Sequence, residues 1–311
     1  MLLEKSEVLE FLRCPKTGKR LHVKNDKLIT EHNTEHIEYE IVGDCPILID
    51  FDRGVFNKGN FSSLPSLIER NSYRGWLGAV RSLVNPIQPA SRENIKQLVD
   101  LLCREHHNPR VLIVGGGTVG EVMNDFYNDP RISIVSFDVY ASPHVQFVAD
   151  GHNIPLPDCS FDAVIIQAVL EHVLEPNLVV SEMYRVLKDG GIVYAETPFL
   201  QHVHEGAYDF TRYTESGHRY LFKKFEMIKS GVVAGAGTQL LWAIDNFFRG
   251  LFRSKQLGKV IKLGFFWLQY FDRLIPESYN VDSASCVYFM GIKVDSTIAP
   301  REILTHYKGA Q

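Results

Sequence analysis

The run Val111-Leu112-Ile113-Val114-Gly115-Gly116-Gly117-Thr118-Val119-Gly120 sets the pattern G-x-G-x-x-G between an apolar, strand-like stretch and the head of a helical one. Glycine serves there because the backbone must turn sharply and admit a ligand where a Cβ would collide. Asp138 closes the next apolar run, 18 residues after Gly120, where a carboxylate can accept both hydroxyls of a ribose. The pair points to a nucleoside-bearing cofactor without choosing which. A second reactive stretch, Gln201-His202-Val203-His204-Glu205-Gly206-Ala207-Tyr208-Asp209-Phe210-Thr211-Arg212, gathers two imidazoles, a carboxylate and a guanidinium. An imidazole titrates near neutrality and can take a proton from a poorly acidic hydroxyl. His204 is the first candidate for that base and His202 the second, with Asp209 or Arg212 as orienting partners. The plainer reading is an Asp209–Arg212 salt bridge flanked by solvated histidines. Zinc on His202, His204 and Asp209 is the least expected reading, and no metal is predicted.

The elements that must carry these residues follow from periodicity. Apolar runs at Arg110–Val114, Ile132–Phe137, Val145–Val148, Phe161–Ile166 and Ile192–Ala195 read as strands. Thr118–Tyr127 and Asn177–Leu187 read as helices between them, and Ser91 is a candidate cap for a helix carrying Ile95, Leu98, Val99 and Leu102. Such alternation makes a parallel sheet with helices on both faces. Two later strands, near Phe225–Val233 and Ser285–Val294, flank a long insertion. Each of the reactive segments then falls just beyond a strand's carboxyl end, where open α/β sheets bind ligands.

The stretch from Val148-Ala149-Asp150-Gly151-His152-Asn153-Ile154-Pro155-Leu156-Pro157 to Phe161-Asp162-Ala163-Val164 adds a strand-end Asp, an I-P-L-P segment and F-D-x-V in that order. Gln167-Ala168-Val169-Leu170-Glu171-His172 and Glu182-Met183-Tyr184-Arg185-Val186-Leu187-Lys188-Asp189-Gly190-Gly191 continue the series. Over residues 108–233 this ordered set resembles the class I S-adenosylmethionine-dependent methyltransferases, particularly those acting on quinones and other small molecules. The resemblance implies a seven-stranded Rossmann-like sheet whose last strand is antiparallel. It also implies roles: Gly115 and Gly117 making room for S-adenosylmethionine, Asp138 on the ribose, Asp150 on the adenine amine with His152 nearby, and Gln167 beside the methionyl end. Ile113 departs from the pattern, since many members carry an acidic residue there. The loop around His204 resembles an H-x-x-x-x-D-F-x-R-x-T segment of enzymes associated with sugar pathways. Glu171-His172 reads as a helix-start pair packing beside the cofactor.

The expected activity is thus O-methylation of a sugar, lipid-linked or secondary-metabolite acceptor. A nicotinamide-dependent oxidoreductase, which shares the glycine loop and Asp138, and a non-catalytic methyltransferase-like partner protein remain open alternatives.

Residues 1–50 read as a small α+β unit of helix and short strands, 51–90 as a linker or lid with a helix near Ser66–Val84, and 91–311 as the main domain. Leu12-Arg13-Cys14-Pro15 and Tyr39-Glu40-Ile41-Val42-Gly43-Asp44-Cys45-Pro46 resemble the zinc-ribbon-like methyltransferase-activator domain. Thr17 stands where a second cysteine is expected, and Cys14, His32 and His36, with Glu35 nearby, make a poor zinc set, so a metal-free scaffold is predicted.

Within the insertion, about 239–276, apolar residues recur at helical spacing in two stretches, with Arg249, Arg253, Lys255, Lys259 and Lys262 at their junction. Such helices can form core, a homodimer surface or a peripheral contact with an anionic membrane. Net charge −4 over 311 residues excludes a global field for nucleic acid. Five scattered cysteines without a C-x-x-C pair, and no long uncharged apolar run, predict a cytoplasmic chain.

Overall fold

The computed structural model describes residues 1–31, 36–61 and 88–311. Its centre is a run of strands buried on both faces: β5 (Arg110–Val114), β6 (Ser133–Asp138), β7 (Phe147–Ala149), β8 (Phe161–Gln167) and β9 (Leu187–Pro198). Val, Ile, Leu and Phe fill these strands with little alternation, as a parallel sheet covered on both sides requires. The strands β5, β6, β7, β8 and β9 pair in parallel, whereas β10 (Phe225–Ala234) and β11 (Cys286–Lys293) pair antiparallel.

Helices cover the two faces through apolar stripes. On one, α2 (Pro89–Glu105) buries Ile95, Leu98, Val99 and Leu102, and α3 (Glu121–Tyr127) adds Met123 and Phe126. On the other, α4 (Pro176–Val186) buries Val179, Val180, Met183 and Val186 against β8 and β9. Ser91 is not the cap of α2. The helix starts two residues earlier on Pro89, whose fixed φ and missing N–H suit a first turn, and Ser91 is buried inside it.

The expectation of seven strands is corrected to eleven. The order is β1-β2-β3-β4-β7-β6-β5-β8-β9-β11-β10, with β1 (His22–Lys24), β2 (Lys27–Glu31), β3 (His36–Val42) and β4 (Cys45–Leu48) appended to the edge. The join is the parallel pairing of Ile47 with Val148 and Leu48 with Ala149. An exposed sheet edge offers unpaired N–H and C=O groups, and the N-terminal chain satisfies them. Its side chains also join the main core: Val8, Leu12, Leu21, Leu28, Tyr39 and Leu48 pack in one cluster with Phe147, Ile154 and Leu156. Cys14 and Cys45 are both buried, and Cys14 Sγ meets the Tyr39 hydroxyl at 3.2 Å. The predicted helix near 66–84, and His32 and Glu35, lie outside the described residues.

Between β10 and β11 run α6 (Ala236–Phe252), α7 (Lys255–Gly264), a 3-10 helix (Phe266–Arg273) and α8 (Glu277–Asp282). Asp272 holds this segment to the sheet by accepting the N–H groups of Gly235, Gly237 and Thr238 at the start of α6. No helix among the described residues is long and apolar enough to cross a membrane.

Candidate functional site

The glycine loop lies between β5 and α3 and is tied to the neighbouring strand. Gly115 and Gly116 donate to the Phe137 carbonyl at 3.0 Å, and Gly117 donates to Asp138 Oδ2 at 2.8 Å. Gly115 has φ +78, and a Cβ on it would stand 2.2 Å from Val169 Cγ2. A Cβ on Gly117 would stand 2.4 Å from the ring of Tyr140. These glycines therefore accommodate side chains from the segments after β8 and β6 as well as the turn itself.

The expected cofactor residues fall at successive strand ends. Asp138 ends β6, where its Oδ1 accepts the N–H of Val139. Asp150 follows β7, and Gln167 ends β8. Asp150 Oδ1 accepts the backbone N–H of His152 at 2.9 Å and pairs with its Nδ1 at 2.5 Å, so His152 belongs to the Asp150 carboxylate itself. That bond raises the imidazole above its ordinary value against the opposing effect of burial. On its other nitrogen His152 accepts the N–H of Glu175 at 3.2 Å. Asp150 Oδ2 turns toward Gly54, whose added Cβ would lie 3.4 Å away. Gln167 bonds Glu196, a carboxyl raised by burial and further held by Tyr194 and Ser91. Ile113 is buried in the core beneath Gly116, so an aliphatic side chain fills the place of the family's acidic group.

S-adenosylmethionine offers vicinal hydroxyls, an exocyclic amine and an amino-acid tail. A carboxylate at the end of β6, another after β7 and an amide at the end of β8 form a donor and acceptor set of the right chemistry, in the right order, for those groups. The residues present fit the cofactor.

The acceptor-side residues come together from two loops. The loop after β9 is stitched to the one after β8 by Phe210 N–H donating to the Glu171 carbonyl at 2.8 Å. The Asp209 side chain is buried and clasped by Arg212 through both terminal guanidinium nitrogens, NH2 to Oδ2 at 2.9 Å. Burial alone would raise the Asp209 carboxyl, but Arg212 and the His204 N–H hold it down to about 2. The predicted salt bridge thus exists, and it shapes the loop: Arg212 also donates to the carbonyls of Gln201 and His202. His204 Nδ1 lies 3.2 Å from the His202 carbonyl and 3.5 Å from Asp209 Oδ2. His202 places its Nδ1 in the interior without a hydrogen-bond partner.

Sequence reasoning did not bring Glu171 and His172 into this cluster. Glu171 is 1% exposed, and its Oε1 stands 3.6 Å from His172 Nε2 and 3.9 Å from His204 Nε2. Its Oε2 has no hydrogen-bond partner. Burial raises the Glu171 carboxyl to about 8 and lowers the His172 imidazole. The two segments lie 32 residues apart along the chain, and no local spacing reports their meeting. The cleft of about 430 Å³ lined by Asn108, Arg110, Asp162 and Lys188 lies at the amino-terminal ends of β5 and β8, opposite the glycine loop.

With the N-terminal strands set aside, the sheet order from β7 to β10 is third, second, first, fourth, fifth, seventh, sixth, with the seventh reversed. Residues 129–195 match the sequence model of a methyltransferase domain. The matched residues run from the turn before β6 into β9. Demethylmenaquinone methyltransferases are among the proteins similar to the chain: that of Renibacterium salmoninarum is 37% identical over 98 residues, covering 28% of this chain and 40% of the relative. That of Paenarthrobacter aurescens is 36% identical over 96 residues, covering 27% and 36%. The match therefore spans about two fifths of these relatives. Among solved structures, phosphoethanolamine N-methyltransferase 2 of Haemonchus contortus in complex with S-adenosyl-L-methionine is 16% identical, with TM-score 0.40 over 64% of this chain and 52% of that one. The glycine loop, Asp138 and Asp150 thus stand at the carboxyl ends of β5, β6 and β7, and the Glu171–His204 cluster follows Gln167 at the end of β8.

Proposed function

We propose that the protein is an S-adenosylmethionine-dependent methyltransferase acting on an oxygen of a sugar, lipid-linked or secondary-metabolite acceptor. The observation that carries the reading is the Gly117–Asp138 bond at the adjoining ends of β5 and β6, within a sheet of this strand order. It fixes a carboxylate at the bend where a ribose would lie. In this reading Gly115 and Gly117 admit the cofactor, Asp138 takes its ribose hydroxyls, Asp150 braced by His152 takes its adenine amine, and Gln167 borders its methionyl end. When bound, the cofactor supplies a sulfonium-activated methyl group for in-line displacement. The protein's task is then alignment of the acceptor and exclusion of water. His204 is the group to receive the acceptor's proton, with His202 second, and the Asp209–Arg212 pair sets the loop that presents it. The name of the similar demethylmenaquinone methyltransferases favours an apolar, lipid-like acceptor.

Thermal unfolding of the full chain with adenosylhomocysteine, and separately with NAD, tests the reading. Ligand at a hundredfold its Kd is expected to add about 2.7 kcal/mol, seen as a rise in Tm of several degrees with adenosylhomocysteine alone. Asp138→Ala should lose that rise. Stabilisation by NAD instead would hand the site to the oxidoreductase alternative, and stabilisation by neither would favour a non-catalytic protein.

A further inference from the structure

The Glu171 cluster has a feature that a general base does not need. Nδ1 of His172 lies 2.7 Å from the Tyr208 carbonyl, and Nδ1 of His204 lies 3.2 Å from the His202 carbonyl. A carbonyl only accepts, so both rings carry their proton on Nδ1 and turn a lone pair on Nε2 inward. Those lone pairs face Glu171 Oε1 at 3.6 and 3.9 Å. Three electron-pair donors from two loops therefore converge, with all ligand atoms within 4.8 Å of one another. The nearest guanidinium, Arg212, is spent on Asp209. Glu171 is 1% exposed and its Oε2 has no hydrogen-bond partner, a buried polar atom that calls for a counterpart.

We propose that Glu171, His172 and His204 bind a first-row divalent cation, zinc being the best match, through two imidazole nitrogens and one carboxylate. Ligands about 2.0–2.2 Å from such an ion stand roughly 3.3–3.5 Å apart in tetrahedral geometry, so the two Glu171 pairs need to close by a few tenths of an ångström, and the two imidazole nitrogens, within 4.8 Å of each other, by at most about 1.5 Å. Nδ1–H bonds to carbonyls are the usual outer support of a metal-bound imidazole, fixing tautomer and ring orientation. Three protein ligands leave a coordination position open, as in catalytic rather than structural sites. The inference rests on the proposed methyl-transfer function for its purpose. At the acceptor end, the open position would hold an acceptor oxygen whose proton is lost to water as it binds the cation, and His204 would then serve as ligand instead of base. The sequence expectation of no metal considered His202, His204 and Asp209, but the geometry selects a different trio and commits Asp209 to Arg212.

The test is calorimetric titration of zinc chloride into the metal-stripped full chain, with cobalt chloride as an absorbance probe. One equivalent is expected to bind with Kd below about 1 μM, and cobalt should give the visible bands of a four- or five-coordinate site. His172→Ala should weaken zinc binding at least tenfold, and Glu171→Gln likewise while retaining the volume of the side chain. Both variants should keep the wild-type circular dichroism spectrum and a cooperative urea transition, which shows that they fold. No zinc binding by the wild type, or unchanged affinity in folded variants, overturns the site. Zinc binding without adenosylhomocysteine binding would instead retain the metal site and remove the methyltransferase reading. The reverse pattern would leave His204 as the base.

Discussion

At the position of Gly115 two constraints coincide: a left-handed backbone and a Cβ direction blocked by Val169 at 2.2 Å. Gly115→Ala is accordingly expected to cost roughly 2–4 kcal/mol, from overpacking together with left-handed strain. Val169→Ala in the same chain should return the steric part and leave the conformational part, as read by urea unfolding. Equal stability of the single and double variants would show that Val169 is not the obstacle. The glycine was legible in the sequence because a strand, a bend and a helix must follow one another there. Its contact was not, since Val169 arrives from beyond β8, 54 residues later. Asp150 and His152 were read as neighbours in a site, whereas the carboxylate binds the imidazole directly. Ile113 was readable as a departure from the family pattern, but only burial explains how an aliphatic group fits there.

Among elements, the short helix α5 (Glu215–Leu221) shows how a buried histidine ties stability to pH. Thr214 caps it by accepting the N–H of Gly217, and it carries His218 into the interior, where the ring meets Thr197 Oγ1 at 3.0 Å. Burial lowers the His218 imidazole to about 3, against a value near 6.5 in the unfolded chain. The folded protein holds this ring neutral, so its contribution is complete above pH 6.5 and is lost as pH falls toward 3. One such group removes about 2 kcal/mol between pH 7.5 and pH 5. Its neighbour Glu215 is opposed by burial but lowered overall by His306 and Ser230, and its loss belongs below the ordinary carboxylate range. Urea midpoints measured from pH 7.5 to 5 should therefore fall for the wild type and flatten for His218→Gln. An equal slope in that variant would assign the loss elsewhere. The sheet shows the complementary limit of sequence reading. Its central strands were legible from runs of Val, Ile and Phe, and the reversal of the last strand from the family resemblance. The parallel pairing of β4 with β7, which makes eleven strands of an expected seven, was not. Strand periodicity states which residues are buried, and it does not state which edge they meet.

On the scale of the whole molecule, the segment from α6 to α8 gathers many of the exposed large apolar side chains among the described residues. Phe247, Leu251 and Phe252 on α6 are each more than half exposed, as is Val260 on α7, and Trp267, Phe271 and Leu274 are also exposed. Patches of this kind mark interaction surfaces. The basic residues expected at the helix junction divide in the structure: Arg249 pairs with Asp245, and Lys262 lies over the Trp242 ring at 4.1 Å, whereas Arg253, Lys255 and Lys259 are exposed. Exposed aromatics beside exposed cations match the chemistry of an anionic bilayer surface, with on the order of 1 kcal/mol for each basic side chain added to the burial of the apolar groups. A lipid-like acceptor would be met at such a surface. The full chain is expected to pellet with phosphatidylserine-containing vesicles at low salt, less with neutral vesicles, and less again as salt rises. Phe247→Ser, Leu251→Ser and Phe252→Ser combined should leave it in the supernatant with its Tm unchanged. If instead the wild type ignores vesicles and doubles its mass with concentration, while that triple variant stays monomeric, these side chains cover a second copy of the chain and the acceptor must reach the crevice through water.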